Sequence, residues 1–177
     1  MLGPAPVLDF DGTIADLPVD WDTVRRSLGV SHVEDLWHGD GSGWRSVTSA
    51  EVEAAQRAAP VPSVTGQLVT VTSFAVLTSN SADAVNAFMH RFPLLRERLA
   101  IVVGREELGG PKTEFERFRS GLERCLEATA RARGDKPATY VGDALYELEF
   151  ARSLGVTALD VGEVSLAYSD PIRKRTR

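Results

Sequence analysis

Cysteine is nearly absent from this chain: Cys125 stands alone in 177 residues. No internal disulfide can form, and no thiol is at hand to join a metal site. Cys125 lies among helix-forming residues, 122–132, and is expected as a buried or half-buried side chain rather than a nucleophile. Histidine is scarce as well. His32 and His38 lie close together in one segment and His90 is remote, so they are not expected to form a metal site. His38 alone is kept as a candidate substrate contact. No apolar run approaches the roughly 20 residues needed to cross a bilayer, so no membrane partner is expected. Asp9 arrives too early for a secretory leader, and a cytoplasmic location is the expectation. Positive charge is in deficit, with 20 Lys and Arg against 25 Asp and Glu. The net charge of −5 argues against a broad nucleic-acid footprint. The only basic cluster is the tail, Arg173-Lys174-Arg175-Thr176-Arg177, read as a solvated terminus.

What is present is enough apolar sequence for one core and a small lid. Five short apolar runs recur: 5–10, 74–77, 99–103, 138–141 and 156–159. Each stops at or near acids, hydroxyls or glycine, as strands buried on both faces of a parallel sheet do. Helical patterns alternate with them over 81–88, 114–133 and 145–154. Ser81 and Asp83 suit a helix start, Phe115, Phe118, Leu122 and Leu126 recur at helical spacing, and Gly155 suits a helix end. The alternation predicts an α/β chain with right-handed crossovers and a three-layer, Rossmann-like core around a mostly parallel sheet.

Residues 20–62 break this rhythm just after the first strand. Short helices are expected over 21–28 and 49–59, with a glycine-rich turn around 37–44 between them. The expected organisation is a core of residues 1–19 and 63–177 and a small helical cap of residues 20–62. Residues 64–72 are ambiguous. Their β-branched residues favour a strand, whereas the need for a crossover into the strand at 74 favours helix or irregular structure, which is the preferred reading.

Ligands in open α/β sheets bind beyond the carboxyl ends of the strands, and chemistry-bearing residues sit at those ends here. Asp9 and Asp11 follow the first strand. Asp9 can attack phosphorus as a carboxylate, and Asp11 can exchange a proton with the leaving group and then with water. Gly12 permits close backbone approach to an anion, and Thr13 offers a hydroxyl and an N–H. Ser79 and Asn80 follow the second strand as candidate phosphate and substrate contacts. Lys112 would offset the charge of nucleophile and phosphate; Arg105 is its less favoured rival. Asp9, Asp143 and the carbonyl of Asp11 supply hard oxygens for Mg²⁺. Glu147 either holds a metal-bound water or positions Lys112. The cap residues Trp21, Trp37, His38, Trp44 and Arg45 are candidate contacts to the leaving group.

These residues resemble the motifs of the haloacid-dehalogenase-like (HAD) hydrolase superfamily. Asp9-Phe10-Asp11-Gly12-Thr13 looks like the first motif and Leu77-Thr78-Ser79-Asn80 like the second. Lys112 fits the third, and Gly142-Asp143-Ala144-Leu145-Tyr146-Glu147 looks like the fourth, with Glu147 where aspartate is more usual. The resemblance is to the phosphoglycolate phosphatase-like branch with a small helical cap. It implies a flap over residues 14–19 and a magnesium-dependent phosphomonoesterase. The dehalogenase branch lacks the second aspartate of the first motif, so Asp11 argues against dehalogenation. The cap is smaller than is common in that branch, and Pro111 precedes Lys112 instead of following it.

The expected function is Mg²⁺-dependent hydrolysis of a small phosphate monoester through an aspartyl-phosphate. Phosphoryl transfer to a sugar phosphate, as in a mutase, is the alternative, and a non-catalytic binding module on the same fold is a further one. The expected partner is a small phosphorylated metabolite, and the expected assembly is a monomer or homodimer.

Overall fold

A computed structural model describes residues 2–39 and 41–164; the basic tail lies outside the described residues. Alternation along the strands sorts the side chains into two cores, because neighbouring residues of a strand face opposite ways. The strands of the main sheet are β1 (Val7–Leu8), β4 (Phe74–Leu77), β5 (Leu99–Val103), β6 (Thr139–Gly142) and β7 (Thr157–Asp160). They run in the order β5-β4-β1-β6-β7, and every pair is parallel. Val7, Ala75, Leu77 and Tyr140 join one core, whereas Leu8, Phe74, Val76 and Val141 join the other. The result is the expected α/β architecture of a parallel sheet between two helical layers.

Helices α3 (Pro62–Leu68) and α4 (Ala82–Met89) pack Val64, Leu68, Ala84, Val85 and Phe88 into the first layer. Helices α7 (Phe115–Arg133) and α8 (Leu145–Ser153) supply Phe118, Leu122, Cys125, Leu148 and Ala151 to the second. The short helices α5 (Pro93–Arg96) and α6 (Arg105–Leu108) lie in the connections before and after β5. The ambiguity over 64–72 resolves as helix to Leu68 and as turn beyond it. Pro62 occupies the first turn, where its fixed φ is already helical, and Val64 and Leu68 are buried four residues apart. Tertiary burial overrides the local β-propensity of the valines and threonines.

The insert leaves the core through β2 (Ala15–Asp16) and returns through β3 (Ala59–Pro60), and the two pair antiparallel. Between them come α1 (Trp21–Leu28), a 3₁₀ turn (Val33–His38) and α2 (Trp44–Ala55). Helix α2 begins five residues before the expected 49 and stops short of 59. Its buried face, Val47, Glu51, Ala54 and Ala55, already requires the turn before Ser49. At its far end the chain must be extended at Ala59 to pair with Asp16. Arg91 fixes this end by donating from Nη1 to the carbonyls of Ala55 and Ala58, at 2.9 and 2.7 Å. No helix among the described residues is long and apolar enough to cross a membrane.

Candidate active site

Strand β1 is the centre of the sheet; the chain builds β4 and β5 on one side of it and then crosses to place β6 and β7 on the other. The loops at such a switch point diverge and leave a crevice. A cleft of about 420 Å³ opens there. Asp9, Asp11, Ser79, Lys112, Asp143 and Glu147 line it from the core, and Trp21, Trp37 and Trp44 line it from the insert.

Asp9 is fixed by the ladder itself, its N–H donating to Val141 O at 2.9 Å. The chain then wraps around one carbonyl: Phe10 O accepts from Ile14 N at 2.8 Å and from Ala15 N at 3.1 Å. Gly12 makes the reversal at φ +73°, in the left-handed region that favours glycine. Its missing side chain matters a second time. A Cβ there would clash with the Asp143 carboxylate, lying 2.9 Å from its Cγ. The β1 and β6 loops can therefore close on each other only with glycine at 12.

Lys112, 2% exposed, has all three ammonium protons engaged. Nζ lies 2.5 Å from Asp9 Oδ1, 2.6 Å from Glu147 Oε1 and 3.3 Å from Leu77 O. Of the two roles open to Glu147, the geometry is that of positioning Lys112. Arg105, the rival cation, points its charge elsewhere, onto Glu51. Ser79 is exposed in the cleft, as a phosphate contact requires.

Three expected contacts fall differently. Gly12 and Thr13 do not line the cleft. Gly12 N–H donates to Ala15 O at 2.9 Å and Thr13 N–H to Phe10 O at 3.3 Å, because the tight turn consumes them. Thr13 is wholly buried, with an Oγ1 that has no partner among the described residues. Asn80 lines the cleft, but its amide is committed: Nδ2 donates to Glu51 Oε1 at 3.1 Å, and Oδ1 accepts from Thr78 Oγ1 at 3.0 Å. In the insert, His38 and Arg45 are exposed and lie outside the cleft wall. His90 is at the end of α4, beside Arg96.

Two networks were not anticipated from the sequence. Glu51 of α2 is 1% exposed and meets Arg105 in a two-pronged ion pair, Nη1 to Oε1 at 2.9 Å and Nη2 to Oε2 at 3.1 Å. Its Oε2 also accepts from Ser81 N at 3.0 Å, at the positive end of α4. This pair bolts insert to core. The only sequence signal for it was a glutamate on the apolar face of α2. The second network surrounds Glu147. Tyr140 donates to Oε2 at 2.5 Å and Tyr146 to Oε1 at 3.0 Å. The signal there was a tyrosine inside the apolar run 138–141.

Burial governs the electrostatics. It pushes the Asp9 carboxyl up to about 7, against the pull of Lys112 and with a further push from Glu147. Burial also lifts Asp11 above the ordinary carboxylate range; the Leu17 N–H bond at 2.9 Å opposes this and the Asp143 charge adds to it. Asp143 is raised by burial too, with Glu147 adding. Burial works to lower Lys112, but Asp9 and Glu147 overcome it and hold the ammonium charged. Cys125 is buried in α7 and its thiol is pushed up to about 12.

Among the described residues, no three His, Cys, Asp or Glu side chains are gathered tightly enough to hold a metal ion by themselves. The expected set asks for less: two carboxylates and a carbonyl. Asp11 turns its Oδ1 to Leu17 N, and the Asp143 carboxylate packs on the Gly12 backbone next to it. An all-oxygen set of this kind, open to water in a cleft, fits a hard divalent cation.

No family model and no curated protein matches the chain. Solved structures do. L-2-haloacid dehalogenase from Xanthobacter autotrophicus is 16% identical, covers 89% of this chain and 76% of its own, and gives a TM-score of 0.59. A HAD phosphatase from Thermococcus onnurineus is 20% identical over 89% of this chain and 85% of its own, with a TM-score of 0.54. A HAD-superfamily hydrolase, subfamily IA, variant 1, from Geobacter sulfurreducens PCA is 19% identical over 88% and 85%, with a TM-score of 0.53. At these identities the likeness is one of fold, and the fold this chain shares with them is that of HAD-superfamily hydrolases.

Proposed function

We propose that this chain is a member of that superfamily and a Mg²⁺-dependent phosphatase, which hydrolyses a small phosphate monoester through an aspartyl-phosphate. The observation that carries the reading is the coupling of Asp9 to Lys112. A buried carboxylate opens on a cleft with one oxygen, Oδ1, held by a fixed ammonium, which leaves Oδ2 for attack.

In the first half-reaction an Asp9 oxygen bonds to phosphorus as the bond from phosphorus to the ester oxygen breaks. Asp11 gives its proton to the departing alkoxide. Its raised proton affinity suits an acid. In the second half-reaction Asp11, now a carboxylate, takes a proton from water. The hydroxide oxygen bonds to phosphorus, the acyl-phosphate bond breaks, and Asp9 is regenerated with inorganic phosphate. Ser79 donates to a phosphoryl oxygen, and Lys112 keeps Asp9 aligned and offsets negative charge. Asp9, Asp143 and the Asp11 carbonyl would hold Mg²⁺, which would supply further neutralisation of the phosphoryl oxygens.

The fold neighbours include dehalogenases. Halide, however, departs without a proton, so the general-acid half of the Asp11 role has no counterpart in dehalogenation. An alkoxide needs that acid. Phosphate release from a panel of small monoesters, with and without Mg²⁺, tests the reading. Asp9→Asn is expected to abolish release. Mg²⁺-dependent turnover surviving in that variant overturns the assignment of the nucleophile. Loss of phosphate release on adding a second hydroxyl compound would favour phosphotransfer, and no response to Mg²⁺ across the panel would favour a binding module.

A further inference from the structure

The chain has three tryptophans, and all three line the cleft from the insert. None belongs to either hydrophobic core, and each is half-buried. An indole is a large apolar surface, and folding normally spends it on a core. Here the full complement is held at the mouth of the site.

The wall they make is rigid. Trp37 and Trp44 pack with centroids 4.6 Å apart at 52°. The Arg105 guanidinium covers Trp44 at 4.4 Å and is itself locked by Glu51. A cation over an indole face, anchored by a buried carboxylate, fixes the aromatic wall in advance of any ligand. Tyr146 adds another ring on the core side of the same cleft.

The wall is also poor in hydrogen-bonding partners. Among the described residues that the insert contributes to the cleft, none is Ser, Thr, Asn or Gln. Arg25 is paired with Asp22, and both oxygens of Glu51 are taken. That leaves the Glu34 carboxylate, the unpaired side of the Arg25 guanidinium and the indole N–H groups. A polyol laid against this wall would give up water at several hydroxyls and find few acceptors in return, whereas a flat ring has fewer polar atoms to desolvate.

We propose that the leaving alcohol carries a flat aromatic or heteroaromatic ring that packs against Trp37 and Trp44, in preference to a sugar or glycolate. The proposal rests on the phosphatase reading for the position of the phosphate, and its test separates the two. Because every tryptophan lines the cleft, intrinsic fluorescence reports on occupancy directly. The probes are benzylphosphonate and cyclohexylmethylphosphonate, which match in size and charge, differ in planarity, and contain no ester to cleave. On the unaltered protein, benzylphosphonate is expected to bind with a Kd about tenfold lower, the size of a stacking preference. Trp37→Leu should shrink that ratio to about twofold or less, as loss of the stacking partner requires.

Equal affinities, tighter binding of the cyclohexyl compound, or no response to either phosphonate overturns the proposal. A ring preference without turnover of any ester keeps it and sinks the phosphatase reading. Turnover without a ring preference does the reverse. Benzyl phosphate against cyclohexylmethyl phosphate, and a nucleoside 5′-monophosphate against ribose 5-phosphate, then separate simple aryl from heteroaromatic leaving groups by kcat/KM. A ribose 5-phosphate value above both ring-bearing esters also overturns it.

Discussion

Two buried charge clusters lie beneath the same cleft, and they differ in one respect. Around Arg105 the account is closed: one guanidinium faces one buried carboxylate, with the exposed Glu106 carboxylate 3.8 Å away at the rim, and the remaining lone pairs of Glu51 accept from Asn80 and Ser81. Around Lys112 it is open: one ammonium faces two carboxylates, Asp9 and Glu147, with Asp11 and Asp143 in the same cleft. Fully matched groups hold parts of a fold together. A surplus of negative charge, kept from water, is unfavourable by itself and becomes useful when a cation or a proton completes it. Burial first, and the neighbouring negative charge after it, raises the Asp9, Asp11 and Asp143 carboxyls. The two dehydrated clusters, so similar in composition, are read as a bolt and a reaction centre.

The difference can be broken from either side. Glu51→Gln should have the largest effect on folding, because it leaves the buried Arg105 charge with only the exposed Glu106 carboxylate, 3.8 Å away. The expected loss is about 3–5 kcal/mol, read by urea unfolding. Replacing both partners, Glu51→Leu with Arg105→Met, should recover most of it. An unchanged midpoint in Glu51→Gln would show that the bolt carries no load. Lys112→Met leaves Asp9 and Glu147 without their cation, a cost that Asp9 relieves by taking a proton, and its main effect should be on rate, lowering kcat by about 10²–10³, the range for removing one preorganised electrostatic group. If kcat held and only KM rose, Lys112 would be a binding group alone. Tyr140→Phe removes one of the donors to Glu147, and an expected loss of about 1.5–3 kcal/mol follows for a hydrogen bond to a buried charged group. Activity falling more than stability would tie Tyr140 to the alignment of Lys112. The smallest effect belongs to the exposed pair Arg57–Glu53 on the insert. Glu53→Gln should move stability by less than about 1 kcal/mol, and a larger shift would mean that exposure does not separate these pairs as argued.

The core was legible because its physics is local. Strands buried on both faces appear as apolar runs, and their functional ends appear as the polar residues where the runs stop. Hence Asp9, Ser79, Lys112 and Asp143 could be named and are found around one cleft. The insert was less so. Helix α2 begins at Trp44 because a buried face beginning there is completed by the core, which no local pattern displays. Strand β3 is two residues long and exists only because β2 lies opposite. Arg105 and Glu51 are 54 residues apart, and each alone resembles an ordinary surface charge. Gly12 and Thr13 were singled out as donors, but a turn that tight spends its own N–H groups. Tyr140 was hidden for the opposite reason, since an aromatic ring in a strand looks like core until its hydroxyl is seen to find Glu147.

The ribbon of β2 and β3 has a practical consequence. Ala15 pairs with Pro60 and Asp16 with Ala59, so the segment begins and ends at one place. Everything between can be lifted out as a cassette without cutting a strand of the main sheet. A graft of a different roof onto this floor would need to reproduce two fasteners, a carboxylate for Arg105 and carbonyls for Arg91, and the apolar edge at Val52, Ala55 and Ala58 that packs into the core. Selectivity could then be exchanged while the reacting groups stay where they are.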